Sequence, residues 1–196
     1  FDFSSSKLAA RYSSSDALFA RIDDVSNSVL QSLLSHRSVR SYTPQPVPES
    51  AWVAMLAAAQ SAATSSNLQV WSAVAVRDPA RKERLSVLAG DQPHIRQCPL
   101  FVVWLADLSR LARVAQAEGM PPVANDYLEM ALMATIDATL AAQNAVVAAE
   151  SMGLGTVYIG GIRNHPLEVA QELGLPPGVF AVVGLCVGYP EPDVPA

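Results

Sequence analysis

Cysteine is scarce in this 196-residue chain: there are two, Cys98 and Cys186, far apart in apolar runs. Neither a CxxC pair nor a disulfide framework is present, so free buried thiols and a reducing compartment are expected. Histidine is just as sparse, and His36, His94 and His165 lack ligand-like spacing, which leaves no recognisable metal site. Charged residues make up only 16% and the formal net charge is −5, so no broad basic face is available for nucleic acid. A clean membrane span is missing too. The most apolar segment, YLEMALMATIDATLAAQNAVVAAESMG, carries Asp137, Gln143, Asn144 and Glu150. No signal peptide appears, and the chain opens on Phe1 rather than Met, which reads as processed or trimmed; the cytoplasm is the expected location.

What the chain does have is a hydrophobic fraction of 51%, enough for a sizeable core and for a buried subunit contact, so a homodimer is expected. Residues 1–14 are Ser-rich and read as a flexible arm, with one domain over 15–196. Ser15 or Asp16 could cap a helix reaching to about Ser35, after which Pro44, Pro46 and Pro48 force an extended turn. PESAWVAMLAAAQSA reads as a helix, LQVWSAVAVRD as a strand, ARKERLSVLAG as a short helix and CPLFVVWLAD as a central strand. Helical character returns at 107–118. The Ala-rich stretch Asp126 to Met152 is apolar almost all round and predicts a long helix buried on every side, at a subunit interface. LGTVYIGG and GVFAVVGLCVGYP read as strands flanking a helix near Pro166 to Leu173. Strands and helices mix without a regular βαβ repeat, so the fold class is α+β.

Four segments could carry chemistry. His36, Arg37, Ser38 and Arg40 put two guanidiniums and a hydroxyl within five residues, which suits a phosphate; the same cluster also fits a cationic helix terminus. Ser65, Ser66 and Asn67 supply hydroxyl and amide groups at a sheet edge, fit for a heterocycle or for ordinary loop bonds. Gly160 and Gly161 at a strand end allow a flat ligand to approach the backbone, or simply end a strand; Arg163 follows as a solvated charge or an anion contact. Gln92 and His94 sit in a polar loop. No Ser-His-Asp, Cys-His or close carboxylate pair stands out, so bond-making chemistry would come from an organic cofactor.

Together HRSVRSYTPQPVP, SSNLQVW, AGDQPHI, the long Ala-rich helix, YIGGIRN and FAVVGLCVGYP resemble the FMN-dependent, oxygen-insensitive NADPH nitroreductase and flavin reductase family, over roughly Leu33 to Pro190. The wording is nearest the major NADPH nitroreductase branch. The resemblance implies a nitroreductase-like fold, a mixed central sheet flanked by helices, with the long helix at the interface of a homodimer. It implies FMN as cofactor, NADPH or NADH as electron donor, and ping-pong two-electron reduction of nitroaromatics, quinones or flavins. His36, Arg37, Ser38 and Arg40 would face the FMN phosphate, ribityl chain and ring edge. Ser65, Ser66 and Asn67 would line a loop near the flavin, with Ser66 also at the substrate. Gln92 would reach the ring edge, and Tyr158, Ile159, Gly160 and Gly161 would lie against the ring. Arg163 would sit at the substrate mouth. In that branch a C-terminal arm containing KPRLP adds Lys and Arg to the phosphate site; this sequence instead ends PEPDVPA, and FMN occupancy, dimer completeness and NADPH preference turn on that difference. A flavin-sequestering protein without turnover, or a specialised member using reduced FMN for another reaction, are the alternatives.

Overall fold

The computed structural model describes residues 27–120 and 123–192. The chain divides into two units, Phe1–Arg37 and Ser38–Ala196. In the first, helix α1 (Ser28–Leu34) begins at Asn27, whose Oδ1 accepts from the N–H groups of Val29 at 3.0 Å and Leu30 at 3.1 Å. Those bonds satisfy donors that a helix start leaves open. The caps expected at Ser15 or Asp16, and the arm 1–14, lie outside the described residues.

The second unit is built on four strands: β1 (Trp71–Val76), β2 (Leu100–Asp107), β3 (Gly155–Ile159) and β4 (Val179–Gly188). Their order is β1-β2-β4-β3 and every strand pairing is antiparallel. Among the described residues the expected mixed character survives only as an isolated parallel bridge between Ser38 and Thr156. β2 is buried along its whole length, as its unbroken apolar sequence requires. Its side chains alternate between faces. Phe101, Val103 and Leu105 join one core cluster, while Leu100, Val102 and Trp104 join another.

Helices cover both faces. Helix α2 (Glu49–Gln60) and the long α6 (Leu128–Ser151) pack together and, through Trp52, Met55, Ala141, Ala145 and Ala149, against the second cluster. Leu85 of α3 (Pro79–Leu88), Ile95 of α4 (Pro93–Gln97) and Val169 of α7 (Pro166–Leu173) cap the first. The helix expected over 107–118 is α5 (Ser109–Ala117), whose open N–H groups are capped by Asp107. Three short 3-10 turns, Ser65–Asn67, Val123–Asp126 and Gly160–Arg163, complete the described elements.

One expectation changes. AGDQPHIRQ does not run as a loop into β2, because Pro93 starts the single-turn α4. Helix α6 is long and apolar enough to cross a membrane, but Ala134, Ala138, Ala141, Ala142 and Ala145 are fully buried in the protein's own core. Within the single chain it leaves one stripe uncovered. Leu128, Leu132, Ile136 and Leu140, four residues apart along one stripe, are exposed.

Candidate cofactor and substrate site

The segment after Arg37 is placed by backbone bonds. Val39 N–H donates to the Thr156 carbonyl at 2.8 Å, and Thr43 N–H to the Tyr189 carbonyl at 2.9 Å, so Ser38 to Thr43 runs beside β3 and the chain leaving β4. Gly155 makes this approach possible: a β-carbon there would stand 2.7 Å from Val39 Cγ2 and 2.9 Å from Pro190 Cγ. Ser38 and Arg40 are exposed on alternate positions while Val39 between them is buried. His36 and Arg37 belong to the first unit, where His36 N–H donates to the Leu33 carbonyl at 3.3 Å.

Arg40 lies close enough to His94 for its charge to act on the imidazole. Burial first, and the Arg40 charge second, hold His94 below its ordinary pKa, so the ring is neutral at pH 7. Its Nε2 is buried without a hydrogen-bond partner, and Arg40 makes no hydrogen bond or ion pair among the described residues. A buried ring nitrogen without a hydrogen-bond partner is costly unless a bound group meets it, whereas the exposed Arg40 is free to turn toward that group. The pair is suited to an oxyanion.

Gln92 does not project freely toward a ligand. Its Nε2 donates to the Ala89 carbonyl at 2.8 Å, and its backbone carbonyl accepts from Ser86 Oγ at 2.7 Å. Gly161 packs against this same arrangement: a β-carbon would fall 2.3 Å from the Ala89 oxygen and 2.7 Å from Gln92 Nε2. The close approach that Gly161 permits is therefore to the end of α3. Gly160 is the exposed member of the pair, and its missing β-carbon points at the tip of Arg163, 3.3 Å away.

Along β3 the side chains alternate. Ile159 enters the core on the α3 and α7 side, while Tyr158 packs on the α6 side. Tyr158 Oη donates to Gln143 Oε1 at 3.3 Å, and burial, helped by the Glu150 charge, raises the phenol pKa. Tyr158, Arg163, Thr139, Leu140, Gln143 and Val182 line a groove of about 450 Å³. Arg163 is tied down at its rim, with Nη1 donating to the Val182 carbonyl at 2.5 Å.

Ser65, Ser66 and Asn67 are not part of this cluster. They precede β1 at one edge of the sheet, whereas Tyr158 to Gly161 end β3 at the other, three strand spacings or about 14 Å across. One chain alone does not bring the two together. The loop is nonetheless held in an unusual shape: Ser66, Asn67 and Gln69 all have positive φ, at 50°, 56° and 53°, and none is glycine. Two residues hold its ends and were not singled out as functional from sequence. Asp137, fully buried on α6, accepts from Ser65 N–H at 3.0 Å and Val70 N–H at 3.3 Å. Arg110 of α5 donates to the carbonyls of Gln69 and Trp71. A lone carboxylate in an Ala-rich helix face was the available signal for Asp137; Arg110 carried none.

The nitroreductase family pattern matches residues 33–189. The chain is 43% identical to the FMN reductase (NADPH) of Bacillus subtilis over 84% of its own length and 66% of that relative's. It is 40% identical to the oxygen-insensitive NADPH nitroreductase of Salmonella typhimurium, over 84% of this chain and 68% of that one. The solved structure of NfrA2 from B. megaterium superposes with a TM-score of 0.85 at 42% identity, covering 87% of this chain and 70% of the other. The chain thus spans just under two thirds of the Bacillus reductase's length.

Proposed function

The chain belongs to the nitroreductase family, and on that premise we propose that it is an FMN-dependent oxidoreductase, taking electrons from NADPH or NADH and delivering them in pairs to a nitroaromatic, a quinone or a free flavin. The observation that carries the reading is Arg40 and His94: a guanidinium with no hydrogen bond or ion pair among the described residues, whose charge reaches an imidazole with a buried nitrogen that has no partner among them. Such a pair fits the phosphate end of FMN.

Arg40 and the Ser38 hydroxyl would hold that phosphate. Tyr158, Ile159 and Gly160 would offer backbone to the ring, Gly160 being the position open to solvent. Gly161 and Gln92 would support that backbone through the Ala89 carbonyl as well as meet the ring edge. Arg163, at the rim of the Tyr158 groove, would face the acceptor. Bound there, FMN supplies the two-electron carrier that lets donor and acceptor use one pocket in turn. Arg40 and Arg163 would favour negative charge developing on the ring and on a nitro or quinone oxygen. The apolar groove walls Leu140, Val182 and Val183 would limit water beside it.

A homodimer is part of this proposal. The stripe Leu128, Leu132, Ile136 and Leu140 leaves apolar surface uncovered, and a second copy packed on α6 would cover it. The same partner would bring its own Ser65, Ser66 and Asn67 toward the β3 end, with Ser66 at the substrate. A cytoplasmic location follows from the two buried free thiols and the need for reduced nicotinamide.

The test is spectroscopic. Purified protein reconstituted with FMN should bleach anaerobically on NADPH or NADH and regain its colour on adding a nitrofuran. A flavin that binds but never bleaches would support sequestration instead, and failure to bind FMN would overturn the proposal.

A further inference from the structure

Three residues of the Ser65–Val70 stretch, Ser66, Asn67 and Gln69, hold left-handed backbone without being glycine. Ser66 and Gln69 disfavour that conformation in an isolated chain, because the β-carbon crowds the neighbouring carbonyl, while Asn67 tolerates it better. Something outside the stretch must therefore select it. Local bonds contribute only in part: Leu68 N–H donates to the Ser65 carbonyl at 3.0 Å and Trp71 N–H to the Gln69 carbonyl at 2.9 Å, while Gln69 Nε2 donates to Asn67 Oδ1 at 3.1 Å between two exposed residues.

The two outside contacts are complementary. Asp137 uses both carboxyl oxygens on backbone N–H groups, one before the left-handed residues and one after them. It does so from a fully buried position on α6, a helix fixed by the core through Ala134, Ala138 and Ala141. Arg110 approaches from α5 and uses Nη2 on the Gln69 carbonyl, with the Trp71 carbonyl 3.5 Å away. Arg110 is in turn anchored, since its N–H donates to Asp107 Oδ1 at 3.3 Å, and Asp107 N–H donates to the Val70 carbonyl at 3.0 Å. Donors of the loop are thus gripped by an acid and acceptors by a base, both mounted on rigid helices. We propose that Asp137 and Arg110 form a two-sided clamp that holds Ser65 to Gln69 in its left-handed shape and thereby sets the affinity for FMN.

This inference rests on the flavin reading of the previous subsection, in which Ser65, Ser66 and Asn67 touch the cofactor. Neither clamp residue is proposed to touch FMN; both act as positioning residues. If the loop leaves its binding shape most of the time, the apparent dissociation constant rises by the inverse of the fraction still competent.

Asp137→Asn keeps the size of the side chain but turns one acceptor into a donor facing a backbone N–H. FMN affinity should fall about tenfold. Gln69→Gly in the same protein removes one disfavoured left-handed residue while retaining the carbonyl that Arg110 holds, and should recover about threefold of that loss. Packing damage to α6 would not respond to a glycine in the loop. Arg110→Gln, at an exposed position that leaves the core intact, should weaken FMN about threefold. Amide hydrogen exchange on the flavin-free wild-type chain gives an independent reading. The Ser65 N–H should exchange as slowly as the paired amides of β1, although Ser65 itself is exposed.

Loop-like exchange at Ser65 would overturn the clamp, as would unchanged FMN affinity in both Asp137→Asn and Arg110→Gln. A loss in Asp137→Asn that glycine at position 69 fails to relieve would also overturn it. Should the wild-type chain not bind FMN, the flavin reading fails, and so does the affinity half of this proposal; slow Ser65 exchange would then show a loop held for some other purpose.

Discussion

Replacing Gly161 with alanine separates a ligand-facing glycine from a structural one. The added carbon would lie 2.3 Å from the Ala89 carbonyl oxygen and 2.7 Å from Gln92 Nε2. Ordinary contact needs roughly 1 Å more room at the oxygen. Ala89 cannot simply yield, being fully buried at the end of α3 beside Leu85 and Ile162. Overpacking of this kind costs about 1–3 kcal/mol, and displacing Gln92 from the Ala89 carbonyl adds about 1 kcal/mol. The sum, about 2–4 kcal/mol, corresponds to a melting-temperature drop of about 4–16 °C for a domain of this size. Gly160→Ala is the internal control. Its added carbon meets only the flexible tip of Arg163 at 3.3 Å, so melting should move by no more than about 2 °C, whereas FMN affinity should fall if this exposed position faces the ring. Calorimetry on the flavin-free proteins and flavin titration on both variants give the two readouts. A Gly161→Ala protein melting within about 1 °C of wild type would refute the packing argument.

Arg40→Ala should weaken FMN binding about tenfold to a hundredfold, the loss of one charge-assisted phosphate contact, and unchanged affinity by fluorescence titration would remove Arg40 from the phosphate site. Ile136→Asp, in the middle of the exposed α6 stripe, should shift a sedimenting dimer to monomer at micromolar concentration; a variant that sediments like wild type would place the contact elsewhere. Asp107 predicts an acid effect. Burial alone would raise its pKa, but hydrogen bonds from Ser72 and Ser109, with backbone N–H groups of Arg110 and Ser109, outweigh burial and hold it below the ordinary value. A depressed folded-state pKa adds stability above the unfolded value near about 3.9 and loses it as pH falls through the folded value. The melting gap between wild type and Asp107→Asn should therefore be widest near neutral pH and narrow below about pH 4; a gap that stays constant would contradict the assignment.

Local periodicity and composition were sufficient for much of the chain. LFVVWLAD announces a strand buried on both faces because no polar residue interrupts it until Asp107, and β2 is that strand. The Ala-rich stretch announces α6, and ARKERLSVLAG announces α3, which begins one residue earlier at Pro79 with Asp78 Oδ1 accepting from the Arg81 N–H at 2.8 Å. The cationic run around Arg40 and the Gly160–Gly161 pair could be marked as candidates, since charge and missing side chains are visible in one dimension.

Tertiary structure decided what those candidates face. That Gly161 makes room for the Ala89 carbonyl depends on the end of α3 arriving from some seventy residues earlier, which no spacing rule encodes. The neutral, unsatisfied state of His94 arises from burial and from Arg40, more than fifty residues away in sequence. The left-handed residues Ser66, Asn67 and Gln69 had no glycine among them to betray the turn, because buried Asp137 and exposed Arg110 supply from outside what glycine usually supplies from within. Patterns of period two and 3.6 reflect short-range backbone geometry and can be read along the chain. Hydrogen bonds and steric contacts between distant segments exist only once the sheet order β1-β2-β4-β3 has brought those segments together.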